Sequence, residues 1–316
     1  MAQQGPENPI HLAVKQKALS PDSARALEAI GVDRQLQGEA NRGAEVYKGK
    51  RVALTLVLGD DSISMAARPS HAYFESQGQE KVKGVFGAFS RVFEKGGLKG
   101  PMTKAEAFVL GHNAYIDALK GDDRAGEYLA QTVLLNRGPV LPEDSKLTEH
   151  HGLFLPLQHA VKLVTGKNYK AEGNTPLYDR SAEVLARQIV EAEKHLDEMR
   201  DVRTITLIAS DGQDAGSYIG AEAVASIVTD MRNSKKIFHI VAAMSMDESN
   251  ATKRVFLSMG IPEEWILYPG SQPDKIRSIF GLGGDFTRAT NQVLKATPAQ
   301  LKELGTGGFK ALGSGK

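Results

Sequence analysis

The clearest feature of the sequence is an aliphatic and β-branched run, Val52-Ala-Leu-Thr-Leu-Val-Leu58, without polar alternation. A strand covered by helices on both faces has this continuous pattern, whereas a strand with one solvated face alternates. The run is followed at once by the polar cluster Gly59-Asp-Asp-Ser-Ile-Ser64. The pattern therefore predicts a central strand whose carboxyl end carries two acids and two hydroxyls.

Beyond residue 175, helical spacing of apolar residues alternates with short apolar runs. The predicted helices are 178–198, 218–232, 251–259 and 273–280, and the predicted strands are 204–209, 237–243 and 265–268. Strands that alternate with helices are typical of doubly wound α/β folds. We therefore predict a doubly wound, mostly parallel central sheet flanked by helices.

The two ends of the chain are less regular. Residues 1–50 are polar apart from one helix that starts at the N-cap Ser20 with Pro21 in the first helical position, and we interpret them as an N-terminal extension. Residues 281–316 carry one short helix and then glycines and lysines, which predicts a mobile C-terminal tail. The core domain is assigned to residues 51–280.

The segment between the first strand and residue 175 allows more than one interpretation. Apolar residues at helical spacing predict an amphipathic helix over 82–93. Residues 105–119 fit either a hairpin about a turn at 111–113 or a helix, and the hairpin is our prediction. Weak periodicity and two prolines mark 121–150 as an insertion, and 151–165 is predicted to form another helix.

Composition and charge exclude several classes of protein. The 39 basic and 38 acidic residues give a net charge of +1, so no global field attracts nucleic acid or an anionic membrane. The absence of cysteine excludes disulfides, thiolate metal ligands and a cysteine nucleophile. No run approaches the roughly 18 apolar residues of a membrane span, and no signal-peptide pattern is found. We expect a soluble, cytoplasmic protein with no nucleic-acid partner.

Three polar loops carry the candidate chemistry. They are Asp60-x-Ser62-x-Ser64, Gly173-Asn-Thr175 and Ser210-Asp-Gly212. In open α/β sheets, ligands bind outside the carboxyl ends of the strands. A set of oxygen ligands with neither Cys nor adjacent His suits Mg²⁺, Mn²⁺ or Ca²⁺ better than Zn²⁺ or Cu²⁺. The sequence therefore predicts a divalent-cation site.

These motifs resemble the metal-ion-dependent adhesion site (MIDAS) of the von Willebrand factor A (vWA) family. The family pattern of Asp-x-Ser-x-Ser, then Thr, then Asp is matched by Asp60, Ser62, Ser64, Thr175 and Asp211. Three motifs in order are far more specific than one. The resemblance implies a Rossmann-like sheet with one short antiparallel edge strand. It also implies that the two serines bind the metal directly, Thr175 directly or through water, and the two acids mainly by supporting those ligands.

The departures from the family pattern are small. Asn174 replaces a glycine, Ser210 replaces a threonine and Ile63 replaces a frequent glycine, and none of these positions is a ligand in the family. Asp61 occupies the variable position of the first motif, so we expect it to be dispensable for metal binding. Outside the motifs, His150 and His151 are predicted to lie at the surface and Trp265 in the core.

The resemblance implies a metal-dependent protein–protein interaction module and not an enzyme. The cation would coordinate an Asp or Glu carboxylate of a partner, within a multiprotein assembly that can include an AAA+ ATPase. A structural subunit of a larger particle, with a vestigial or structural metal site, is one alternative. A metal-dependent phosphate-handling enzyme is another, less favoured because Asp-x-Ser lacks the second acid of Asp-x-Asp phosphatases.

Overall fold

One sheet forms the centre of the protein, whose computed structural model describes residues 8–32, 36, 50–67 and 102–312. The seven strands of these ranges, β1 to β7 in chain order, are Arg51–Gly59, Tyr128–Leu134, Gly138–Pro139, Leu155–Pro156, Asp201–Ser210, Phe238–Ser245 and Ile266–Leu267. The sheet order is β3-β2-β1-β5-β6-β7, and β4 also pairs with β2. Because β1 pairs in parallel with both β2 and β5, the predicted central position of the first strand is confirmed.

The sheet is mostly parallel. Strands β2, β1, β5, β6 and β7 run parallel to their neighbours. The two-residue strands β3 and β4 both pair antiparallel with β2. The predicted fold class is therefore confirmed, although the antiparallel edge consists of two very short strands and the prediction had one.

Helices cover both faces of the sheet. The ten α-helices of the described residues, α1 to α10, are Pro9–Lys15, Pro21–Ala29, Lys104–Lys120, Ser145–His151, Leu177–Asp197, Ala221–Asn233, Asn250–Ser258, Pro273–Phe280, Asp285–Lys295 and Pro298–Gly307. Helices α5 and α6 lie on one face beneath α1 and α2, while α3, α8 and α9 lie on the other. None of the helices in the described ranges is long and apolar enough to cross a membrane.

Hydrogen bonds join the two helical layers to the sheet. On one face, the Gln188 side chain of α5 donates to the carbonyl oxygen of Leu54 at 3.2 Å. On the other face, Tyr115 of α3 bonds to the hydroxyl of Thr55. Strand β1 thus has buried partners on both sides, which is the environment that its unbroken apolar run predicts.

Residues 104–120 form helix α3, so the predicted hairpin at 105–119 is wrong. Thr103 is the N-cap and forms a reciprocal capping box with Glu106, which fixes the start of the helix. The hairpin prediction places Gly111 in a turn. Its missing side chain instead allows close packing on α8, because a Cβ there would lie 2.8 Å from the Phe280 ring and 3.3 Å from Arg277 Cα.

The segment 121–150, predicted as an insertion, contributes β2 to the sheet. All seven residues of β2 are buried, including Gln131 and Thr132. These two polar residues interrupt the apolar run and hide the strand from pattern analysis. The helix predicted over 151–165 is also wrong, since Gly152 ends α4 and the chain continues through β4 and a short 3-10 helix.

The C-terminal part packs on the core as far as residue 312, which contradicts the predicted mobile tail. Val293 and Leu294 of α9 are fully buried. The Arg203 guanidinium of β5 donates to the carbonyl oxygens of Val293 and Ala296 at 2.6 and 2.8 Å.

Trp265 is buried as predicted, with the Phe309 ring edge-on at 4.9 Å. The helix predicted over 82–93 lies outside the described residues.

Candidate metal centre

The first and third motifs leave the sheet side by side. Gly59 at the end of β1 is in register with Ala209 near the end of β5. The next residue, Asp60, continues this pairing because its amide donates to the Ala209 carbonyl oxygen at 3.0 Å. Parallel pairing of neighbouring strands therefore brings the Asp60 and Asp211 loops to the same edge of the sheet.

The buried Asp60 carboxylate joins these two loops by hydrogen bonds. Its Oδ1 accepts a hydrogen bond from the Ser62 amide at 2.8 Å, which closes a tight turn. Its Oδ2 accepts from Ser210 Oγ at 2.6 Å. Burial raises the pKa of Asp60, hydrogen bonds from Ser210 and Ser62 act in the opposite direction, and the nearby Asp211 charge raises it further. A cation beside Asp60 would relieve this cost of burial.

Two serine hydroxyls and Asp211 form a hydrogen-bonded chain at the same edge. The Ser62 and Ser64 hydroxyl oxygens are 2.9 Å apart, and Ser64 Oγ donates to Asp211 Oδ1 at 2.7 Å. Adjacent ligands of an octahedral Mg²⁺ ion at about 2.0–2.1 Å are themselves about 2.9 Å apart. Because Ser64 gives its proton to Asp211, its oxygen can act only as an acceptor, either toward Ser62 or toward a cation that replaces the Ser62 proton. The serine pair therefore has the spacing and polarity of two adjacent Mg²⁺ ligands.

Thr175 lies beside the third motif. Its backbone carbonyl accepts a hydrogen bond from the Ala215 amide at 2.8 Å, which fixes the second loop against the third. A Cβ placed on Gly212 would lie 3.7 Å from Thr175 Oγ1, so this hydroxyl is close to the backbone of the third motif. The structure thus brings all five predicted site residues to one edge of the sheet, namely Asp60, Ser62, Ser64, Thr175 and Asp211.

Asp61 belongs to a different set of contacts. Its Oδ1 accepts hydrogen bonds from the Asn136 backbone amide at 2.8 Å and from Asn136 Nδ2 at 3.0 Å. Asn136 Nδ2 also donates to the Asn174 carbonyl oxygen at 2.8 Å. Burial raises the pKa of Asp61, and these bonds and Arg137 act in the opposite direction. Asp61 thus ties the loop after β2 to the second motif.

Lys104 and Tyr169 also contact the site, although sequence patterns did not identify them. Lys104 Nζ, at the start of α3, forms an ion pair with Asp211 Oδ2. The Tyr169 hydroxyl donates to the Asp60 carbonyl oxygen at 2.7 Å in a fully buried position. Neither residue belongs to one of the three motifs. The capping box at Thr103 could have indicated a helix beginning at Lys104, but no sequence signal indicated the ion pair.

The hydroxyl and carboxylate oxygens of the candidate centre suit a hard cation, which prefers oxygen ligands. Among the described residues, no group of three or more His, Cys, Asp or Glu side chains is arranged to hold a metal. The predicted centre is different in kind, because hydroxyls supply its candidate direct ligands and its two acids are already hydrogen bonded. His151 stacks on His159 at 5.8 Å, with His150 exposed beside it, and these rings lie in a separate part of the chain.

The chain has no match among protein-family models or curated proteins. It is similar to a solved structure, proximal thread matrix protein 1 from the mussel byssus, with a TM-score of 0.39 and 10% sequence identity. The matched region covers 73% of this chain and 46% of that one, so the chain spans less than half of that protein. A likeness at this TM-score carries no argument about function.

Proposed function

We propose that the protein is a vWA-like interaction module whose carboxyl-edge loops bind Mg²⁺ or Mn²⁺ and, through the cation, an acidic residue of a partner protein. The observation that carries the proposal is the chain from Ser62 through Ser64 to Asp211, with hydroxyl oxygens 2.9 Å apart. Ser62, Ser64 and Thr175 would hold the cation, and Asp60 and Asp211 would orient the loops and balance its charge.

The composition of the centre supports binding of an acidic partner. When bound, the cation would supply an electrophilic centre for a partner's carboxylate, because neutral hydroxyls neutralise little of its charge. Ile63, between the two serines, is 72% exposed. An exposed apolar side chain between the candidate ligands suits a protein surface better than a free phosphate.

The direct test is cation binding by the full chain. Mg²⁺ or Mn²⁺ should raise the melting temperature of the wild type, because a ligand that binds only the native state stabilises it. The double variant Ser62→Ala/Ser64→Ala should lose this shift. Ser278→Ala, an exposed serine on α8, serves as a matched control that should keep it. A wild type with no shift at millimolar cation would overturn the metal-binding part of the proposal.

Partner binding is tested separately by affinity capture from the native host. Proteins retained by the wild type with Mg²⁺, but lost with a chelator or with the double serine variant, are the expected partners. Partners that bind equally well under all three conditions would favour a structural role without the metal. Phosphate release that Asp60→Ala abolishes would instead favour the phosphate-handling alternative.

A further inference from the structure

Lys104 is an unusual residue for its position. It is the first residue of α3, and its side chain is only 11% exposed. The amino end of a helix carries a partial positive charge, so a buried ammonium there is disfavoured by the helix itself. The contact that compensates is the ion pair with Asp211, whose side chain is fully buried. Lys104 therefore has an electrostatic role at the loop edge and not in capping α3.

The ammonium completes the contacts of the Asp211 carboxylate. Oδ1 of Asp211 accepts from Ser64 Oγ, and Oδ2 contacts Lys104 Nζ. The loop after β6 also faces this charge: burial opposes the effect, but hydrogen bonds from Ser249 and the charge of Lys104 lower the pKa of Asp247. The Met246 amide, one residue earlier, donates to the Ser210 carbonyl oxygen at 2.9 Å. Lys104 thus lies among the loops after β1, β5 and β6.

We propose that Lys104 is a built-in competitor for the divalent cation, an internal monovalent charge that sets the affinity of the centre. This inference rests on the proposed function, since it concerns the same site. A divalent ion held by Ser62 and Ser64 has to share the Asp211 carboxylate with the ammonium or displace it. In a buried site the repulsion between these like charges is weakly screened.

Arg137, a second cationic side chain near the loops, contacts other groups. Arg137 Nε is 4.0 Å from Asp61 Oδ2 and contacts Glu172, so its charge belongs to the Asp61 side of the loops. Within the described residues, the Lys104 ammonium is the positively charged group that contacts Asp211, which is predicted to support the metal ligands. Removing its charge should therefore change cation affinity without changing the ligands.

The experiment measures the affinity of the full chain for Mn²⁺ by calorimetry and by electron paramagnetic resonance of the free ion. Lys104→Met should bind Mn²⁺ about tenfold or more tightly than the wild type, because a like charge within a few ångströms is removed. Lys104→Arg should bind like the wild type. Lys162→Met is a matched control, since Lys162 pairs with Asp117 on the same helix, about 20 Å along its axis from Lys104.

Each outcome decides between the two proposals. If wild type and Lys104→Met bind Mn²⁺ equally, Lys104 is not a competitor and the proposed function stands. If only Lys104→Met binds, the inference is supported, and the metal-binding part of the proposed function fails for the wild type. If neither binds, both proposals fail. Should the Met variant not fold, as judged by circular dichroism, Lys104→Gln removes the charge and keeps a hydrogen-bond donor to Asp211, with the same expected increase.

Discussion

Asp60 and Asp61 are adjacent in the chain, yet their carboxylates bind the ends of different strands. Asp60 Oδ2 accepts from Ser210 at the end of β5, whereas Asp61 Oδ1 accepts from Asn136 just after β2. Strand β1 lies between β5 and β2, so the two acids following it reach one neighbour each. This division gives the two acids separate roles, one beside the predicted cation and one in holding the second loop.

The first prediction separates these roles. Asp60→Ala should abolish the stabilisation by Mg²⁺, because the Ser62 turn and the Ser210 contact both depend on its carboxylate. Asp61→Ala should lower the free energy of unfolding by about 1–3 kcal/mol, since buried partners lose a charged acceptor, while keeping the Mg²⁺-dependent shift. Urea unfolding with and without Mg²⁺ measures both effects. The opposite result, with Asp61 essential and Asp60 dispensable, would place the motif one residue out of register.

The sequence predicted which loops meet at the edge of the sheet better than it predicted the elements between those loops. Asp60, Ser64 and Asp211 could be predicted to meet because they follow strands that are recognisable from their apolar runs. The ion pair between Lys104 and Asp211 joins residues 107 positions apart, and one lysine among many carries no pattern that indicates such a contact. Charge pairing between distant elements is decided by tertiary packing, which hydrophobic periodicity does not report.

The errors in the fold have equally local causes. Gly111 in α3 favours a turn in the sequence pattern, because a glycine usually weakens a helix, but here its missing side chain allows the close contact with Phe280. Gln131 and Thr132 concealed β2, since buried polar residues break the run that marks a central strand. Helix α9 gives a weak apolar pattern because Thr287, Ala289 and Thr290 occupy part of its buried face, and it follows a glycine-rich segment.

The second prediction concerns the backbone of the second motif. Gly173 has a φ of +93°, and a Cβ there would lie 2.6 Å from Asn136 Oδ1. Gly173→Ala should therefore strain the loop and displace Asn136, lowering the free energy of unfolding by about 1–3 kcal/mol. We also expect weaker Mg²⁺ binding, because Thr175 is two residues away. Gly166→Ala is the control, since that glycine also has a positive φ of +81° but open space around its Cβ.

Comparison of the two glycine variants by urea unfolding and by the Mg²⁺-dependent melting shift distinguishes strain from displacement. Strain alone would destabilise both proteins similarly and leave the Mg²⁺ shift intact in both. A loss of the shift in Gly173→Ala alone would locate the effect at the contact with Asn136. Equal behaviour of the two variants in both measurements would contradict the prediction.

The third prediction concerns a buried amide without a partner. Gln131 of β2 is 5% exposed, and neither its Oε1 nor its Nε2 has a hydrogen-bond partner within the described ranges. It is paired in register with Leu56, so its side chain lies on the α5 side of the sheet. Gln131→Met keeps the length of the side chain and removes the uncompensated polar group. We expect the free energy of unfolding to rise by about 1–2 kcal/mol in urea denaturation.

A suitable control is Gln188→Met, because Gln188 is buried on α5 but bonded. Its Nε2 donates to the Leu54 carbonyl oxygen at 3.2 Å, and its Oε1 accepts from Thr206. The same substitution there should destabilise the protein, since Thr206 loses its acceptor inside the core. Destabilisation by Gln131→Met would show that the Gln131 amide is satisfied in solution and would contradict the prediction.

The fourth prediction is a loss of stability in mild acid caused by His112. This residue of α3 is fully buried, and its Nε2 lies 2.8 Å from the Thr132 hydroxyl oxygen. Burial lowers the pKa of His112 from 6.5 to about 4, with Asn113 opposing the effect. In the unfolded chain the imidazole takes up a proton near pH 6.5, whereas in the folded protein it stays neutral until about pH 4. Protonation therefore favours the unfolded state as the pH falls through this range.

Above pH 6.5 His112 is neutral in the folded and the unfolded state, so it costs no stability. Between pH 6.5 and about pH 4 only the unfolded chain is protonated, so the free energy of unfolding falls progressively. Linkage at about 1.4 kcal/mol per pKa unit makes the loss about 3 kcal/mol. Urea unfolding of the wild type and of His112→Gln between pH 4.5 and about pH 7.5 measures it. Glutamine can bond Thr132 but does not titrate, so its stability should fall less in acid. His150→Gln, at an exposed position, should follow the wild type, and parallel profiles for His112→Gln and wild type would assign the acid sensitivity to other groups.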